Sequence, residues 1–233
     1  MTKKWGKIIY WLVIIFLLVF IVLQLALPPY ISRDVEKHIT DNSQEVNNLE
    51  VETRAFPAWK YFYSRADRGS IKADLIKVDG LELREVDSHY RDLYLGSDYI
   101  SGENTDLHIL ITEESLNQYI QGHYPELERV QITLQPEQIL ITGYVTILET
   151  EVQIRLSGSF EVRDPDVVVF KPEDIKVEKL LIPQQIIEDF FSEQEFGFAF
   201  SLEELNFPLQ IEEIVISENE VRLLGGKFVE GND

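Results

Sequence analysis

Ile8 to Leu27 reads IIYWLVIIFLLVFIVLQLAL, twenty positions with a single strongly polar member, Gln24. At ~1.5 Å rise per residue such a helix spans ~30 Å, the thickness of bilayer hydrocarbon. Tyr10 and Trp11 suit an interfacial belt, and Lys3, Lys4 and Lys7 precede the run. Lysines before the span and acids after it predict a cytoplasmic N-terminus and an extracytoplasmic remainder. The competing reading is a cleaved signal peptide. That needs a shorter apolar core ending in small residues, and the exit here, Gln24-Leu25-Ala26-Leu27-Pro28-Pro29, has no A-x-A pattern.

Beyond the span lie about 200 residues, enough to bury a core without staples. The chain has no cysteine, which excludes disulfides, thiolate metal sites, cysteine nucleophiles and a lipoprotein anchor. Net charge is −20; with the three leading lysines set aside, 18 basic and 41 acidic side chains remain, or −23. A surface that negative repels phosphate backbones and anionic lipid surfaces. Nucleic acid is therefore a poor partner, and membrane proximity has to come from the tether. The plainer reading of the charge is solubility.

Pro28-Pro29 predicts the end of the first helix. Ile31, Val35, Ile39 and Val46 follow at near-helical spacing, so residues 28–48 read as an amphipathic helix fading into a linker at Asp41-Asn42-Ser43. Pro57 suits the first position of a short helix on which Trp59, Phe62 and Tyr63 share one side. From Gly69 the period becomes two, and Asp79-Gly80 is a hairpin turn signal. Residues 96–106 are turn-rich. Thr112 is placed to cap a helix with Glu113 and Glu114 in its first turn and Leu116, Tyr119 and Ile120 on its apolar side. Alternating strands then run through Val130–Leu134, Ile139–Ile147, Val152–Val162 and Val167–Phe170, with turns at Pro136-Glu137 and Asp164-Pro165-Asp166. A second amphipathic helix is predicted over 184–191, and a last hairpin turns at Glu218-Asn219. The expected organisation is a basic tail (1–7), a span (8–27), a juxtamembrane segment (28–48), one domain (49–226) and a frayed end (227–233). The expected fold is α+β: a curved antiparallel sheet covered by short amphipathic helices, forming a groove or half-barrel behind one transmembrane helix.

Catalytic and metal-site motifs are missing. His38, His89, His108 and His123 show no H-x-x-x-H spacing, and no nucleophile elbow, Walker loop or dinucleotide glycine loop occurs. Ser157-Gly158-Ser159 lies mid-strand, where glycine permits a bend more readily than it exposes a nucleophile. The chain reads as a non-enzyme with no cofactor and no metal.

The order of short motifs resembles one family. Phe56-Pro57 leads to Gly69-Ser70-Ile71-Lys72-Ala73-Asp74 and Val78-Asp79-Gly80-Leu81; then come Ile111-Thr112-Glu113-Glu114-Ser115-Leu116-Asn117, Leu181-Ile182-Pro183, Phe207-Pro208-Leu209 and a last hairpin ending at Gly225. In this order they resemble the LmeA-like phospholipid-binding family of bacterial envelope proteins, over about residues 45–226. The resemblance implies a lipid-binding, non-enzymatic role at the cell envelope, with an anionic phospholipid as ligand in members linked to lipoglycan assembly. This chain is more acidic than the actinobacterial pattern and richer in Phe, Tyr and Ile.

Physical reasoning gives the same role a basis. An incompletely covered apolar sheet face admits acyl chains at ~0.8 kcal/mol per methylene, on the order of 10 kcal/mol gross for a ~14-carbon chain. Ile154, Leu156, Phe160, Ile186 and Phe190, with Leu116 and Ile120, are the candidate lining, and packing of a closed core is the alternative for each. Trp59 and Phe62, beside Lys60, Arg65 and Arg68, are the candidate rim meeting headgroups; a packed helix with solvated charges is the alternative. The leading expectation is a single-pass membrane protein whose extracytoplasmic domain binds phospholipid and presents or transfers it in envelope assembly. The alternative is a non-enzymatic scaffold binding another envelope protein.

Overall fold

The computed structural model describes residues 2–96, 100–123, 129–147, 150–177, 199–205 and 207–226. Helix α1 (Thr2–Asn42) is long and apolar enough to cross a membrane. It does not end at Pro28-Pro29. The prolines lie inside it, where they remove the amide hydrogens that would bond to the carbonyls of Gln24 and Leu25. An interior proline costs about 3 kcal/mol. The cost is offset because the distal half of α1 is packed rather than free. Val35 and Ile39 are buried, at roughly 2 kcal/mol each. Ser32 Oγ and Thr53 Oγ1 lie 3.2 Å apart, and the Thr53 amide donates to Ser32 Oγ. The amphipathic helix expected after the prolines is the distal half of α1; it ends at Asn42, within the expected Asp41-Asn42-Ser43 boundary, and serves as a strut against the domain.

The domain is α+β with antiparallel sheets, one of them curled into a half-barrel. Two sheets share the work that the alternation pattern suggested for one. The first runs β1 (Glu45–Asn47), β3 (Arg65–Val78), β4 (Leu81–Leu95), β5 (Ile100–Thr112), β12 (Glu220–Gly225) and β11 (Glu213–Ser217), with β2 (Glu50–Arg54) also paired to β3. The second runs β10 (Ala199–Ser201), β9 (Val167–Val177), β8 (Thr150–Asp164), β7 (Gln138–Ile147) and β6 (Gln131–Gln135). They meet where β11 lies against β6 and β8. Asp79 and Gly80 both take positive φ, 48° and 81°, and join Val78 to Leu81 in the two-residue turn their sequence signals. Residues 100–106, expected as turns, belong to β5: pairing with β4 through irregular register overrides their polar composition. Strand β9 continues past Phe170 to Val177, with Pro172 opposite Gly158 beside a register shift, the kind of irregularity that accommodates proline in a sheet.

Helix α2 (Glu113–His123) locks the sheets together. Thr112 Oγ1 accepts from the Ser115 amide, the expected cap. The Ser115 hydroxyl bonds the backbone of Glu82 on β4, accepting from its amide and donating to its carbonyl. Asn117 donates to the Ile132 carbonyl and accepts from the Ile132 amide, while Glu113 accepts from the Leu134 amide. β6 is an edge strand, so these side chains satisfy backbone groups that would otherwise invite another chain. The second predicted helix, over 184–191, lies outside the described residues.

Candidate functional site

The segment after β2 forms a short 3-10 helix, Ala58–Tyr63, preceded by a cis Phe56–Pro57 bond. Its inward residues are Ala58 and Tyr61. The Tyr61 hydroxyl lies 3.2 Å from Thr53 Oγ1, and burial is the main reason its phenol is pushed up. Phe56, Trp59, Phe62 and Tyr63 project outward, at 68, 46, 65 and 74% exposure. Two of these rings touch α1: Phe20 packs edge-on against Phe56 and Trp59, at 6.1 and 5.9 Å between centroids.

One turn further along α1, Gln24 reaches the same segment. Its Nε2 donates to the Ala55 carbonyl at 2.8 Å, and its Oε1 accepts from the Ala58 amide at 3.0 Å. The only strongly polar residue of the apolar run is therefore a clamp on the aromatic turn. Lys60 and the Phe56 amide both bond Asp67, clipping the turn to β3. The Lys60 ammonium is the largest cause holding the Asp67 carboxyl below its ordinary range, with the Phe56 amide assisting.

Between α1 and the β2–β3 edge opens a cleft of about 910 Å³. Its apolar wall includes Leu25, Pro28, Pro29, Val51 and Phe56; its charged wall holds Arg33, Arg54 and Arg68 facing Glu36, Glu52 and Asp67. The acids are engaged: Glu36 accepts from the Val51 amide, Glu52 pairs with Arg54 and Asp67 holds Lys60. Arg33 and Arg68 form no ion pair among the described residues. Strand register adds a further imbalance. Arg54 lies opposite Arg68, which lies opposite Arg91, a row of three like charges across β2, β3 and β4. Like charges directly opposite one another are destabilising unless an anion relieves them.

The matched family model spans residues 23–226 and is described as LmeA-like phospholipid-binding. The chain belongs to the LmeA-like family. No curated protein and no solved structure matches it. The family match opens at Leu23, which packs against the core of the LmeA-like domain one turn beyond the Phe20 contacts. The last part of the apolar helix is thus part of the family unit.

The sequence candidates divide by position. Trp59 and Phe62 project from the aromatic turn, Arg68 lines the cleft, and Lys60 and Arg65 line a neighbouring crevice of about 600 Å³ with Asp92 and Tyr94. Leu116 and Ile120 on α2, and Ile154, Leu156 and Phe160 on β8, are buried in the core, and none of the five lines this cleft. Ile186 and Phe190 lie outside the described residues. Sequence reasoning missed Phe20, Arg33 and Arg54. The one available signal was Gln24, a lone amide in an apolar run, which needs a partner.

Because the Asp67 carboxyl is lowered in the folded protein, its contribution is complete above the ordinary aspartate value and is lost as pH falls through the lowered one. The Phe56 amide resonance is expected to titrate with a midpoint below the ordinary aspartate value, and Lys60→Ala to raise that midpoint. A midpoint unmoved by Lys60→Ala would remove Lys60 as the cause.

Proposed function

We propose that the protein crosses the cytoplasmic membrane once through α1, N-terminus inside, and binds a phospholipid on the outer side in the cleft between α1 and β2. The lipid phosphate sits against Arg33, Arg54 and Arg68, and its acyl chains run along Leu25 and Phe56 towards the bilayer. Trp59 and Phe62 form the rim on the membrane side, with Lys60 and Arg65 flanking it. Leu116, Ile120, Ile154, Leu156 and Phe160 hold the frame that carries the cleft. Lipid held this way is available to envelope enzymes, and the protein performs no chemistry on it.

The observation that carries this reading is the position of the cleft: it lies where an apolar helix meets the domain and combines an apolar wall with the guanidinium groups of Arg33, Arg54 and Arg68. Its volume falls in the range of small-molecule sites, roughly 300–1,000 Å³. The family supplies the ligand class. Full-length protein extracted in mild detergent should retain one phospholipid in native mass spectrometry. A chain beginning at residue 30 lacks Gln24, Leu25, Pro28 and Pro29 and should retain far less. A folded full-length chain that emerges free of lipid would sink the proposal.

A further inference from the structure

The contacts of Phe20 fix where the aromatic turn stands relative to the apolar run. Phe20 is seven positions before Leu27, so it lies ~10 Å inboard of the end of that run. Phe56 and Trp59 pack on it at that level. The Gln24 clamp and the Ser32–Thr53 pair hold the domain to α1 above that point, so the turn cannot swing outward without breaking them. Around Phe20 the other faces of α1 are open: Leu17, Leu18, Ile21 and Val22 are at least half exposed. Phe62 and Tyr63, on the same turn, are likewise exposed.

We propose that the turn from Phe56 to Tyr63 is a second membrane-contact element, seated in the outer leaflet of the bilayer that α1 crosses. Its occupant is the lipid surface itself. The surface is continuous with the exposed apolar face of α1, and aromatic rings are the side chains that favour the headgroup boundary. Arg65, exposed just after the turn, is a cation placed to meet lipid phosphate, while Lys60 is held by Asp67. Two attachment points, a span and a wedge, fix the orientation of the domain, so the cleft opens towards the leaflet rather than towards bulk water. The proposal rests on the membrane-spanning reading of α1 and not on lipid capture in the cleft.

The chain has three tryptophans, Trp5, Trp11 and Trp59. Replacing Trp5 and Trp11 by Phe leaves Trp59 as the sole reporter in the full-length chain. In phosphatidylcholine nanodiscs its emission should be blue-shifted and quenched several-fold more by acyl-brominated lipid than by aqueous iodide. A companion chain keeping only Trp11 shows that the brominated lipid reaches the span. If Trp11 is quenched while Trp59 responds mainly to iodide, the wedge is overturned and the aromatic turn is left free for a protein partner. Gln24→Ala should shift Trp59 towards iodide access; no shift would remove Gln24 as the clamp. Lipid retention with an iodide-accessible Trp59 overturns the wedge alone, whereas a lipid-shielded Trp59 in a lipid-free protein overturns the cleft alone.

Discussion

Full-length protein carrying Arg33→Gln, Arg54→Gln and Arg68→Gln together should bind short-chain phosphatidylglycerol about 100-fold more weakly than the parent chain. Each arginine facing an anionic lipid contributes about 1 kcal/mol, so three contribute about 3 kcal/mol, and every 1.4 kcal/mol is tenfold in affinity. Stability should move the other way or not at all. The three side chains are exposed, and the Arg54–Glu52 pair is a surface pair of small worth. Removing two members of the Arg54–Arg68–Arg91 row relieves like-charge repulsion. Titration calorimetry and a urea transition on the same samples give the two readings, and high salt should narrow the affinity gap. Equal affinity for parent and triple variant would rule out the cleft as the phosphate site.

The second large effect concerns the frame. Gly158→Val should lower the unfolding free energy by about 3 kcal/mol, the upper end for overpacking, because the obstacle is backbone. A Cβ at position 158 would stand 2.1 Å from the Lys171 carbonyl oxygen and 2.9 Å from the Phe170 ring. Gly158 faces Pro172 across the β8–β9 shift, so neither strand can move away without losing its register. Ser159→Ala, by contrast, loses only an exposed bond to Glu173 and should stay within about 0.5 kcal/mol. Chemical denaturation compares them directly. A Gly158→Val protein as stable as the parent would mean that the β8–β9 register is far softer than the close approach implies.

Much of the frame was legible because it is local. The Asp79-Gly80 turn, the Thr112 cap and the alternation of β6 to β8 each depend on residues within a few positions of one another. The period-two pattern identifies the buried face of a strand whatever it is packed against. The motifs that carried the family resemblance prove largely architectural: Thr112, Glu113, Ser115 and Asn117 cap α2 and join it to both sheets. The failures are of another kind. Pro28-Pro29 reads as a stop on local propensity, and packing of Val35 and Ile39 against the domain overrides it. In the aromatic turn, Trp59, Phe62 and Tyr63 were legible as one side, but Tyr61 as the inward residue was not, since its partner Thr53 lies on a different element.

The sequence alone determined that a long apolar helix precedes an acidic, strand-rich α+β domain, because hydropathy length and side-chain period are properties of neighbouring residues. Tertiary structure alone decided that the helix is a clamped wall of the cleft and that Arg33, Arg54 and Arg68 converge there. Those facts depend on groups far apart in the chain, such as Gln24 with Ala55 and Ser32 with Thr53. Only the folded backbone sets such distances; no periodic pattern encodes them.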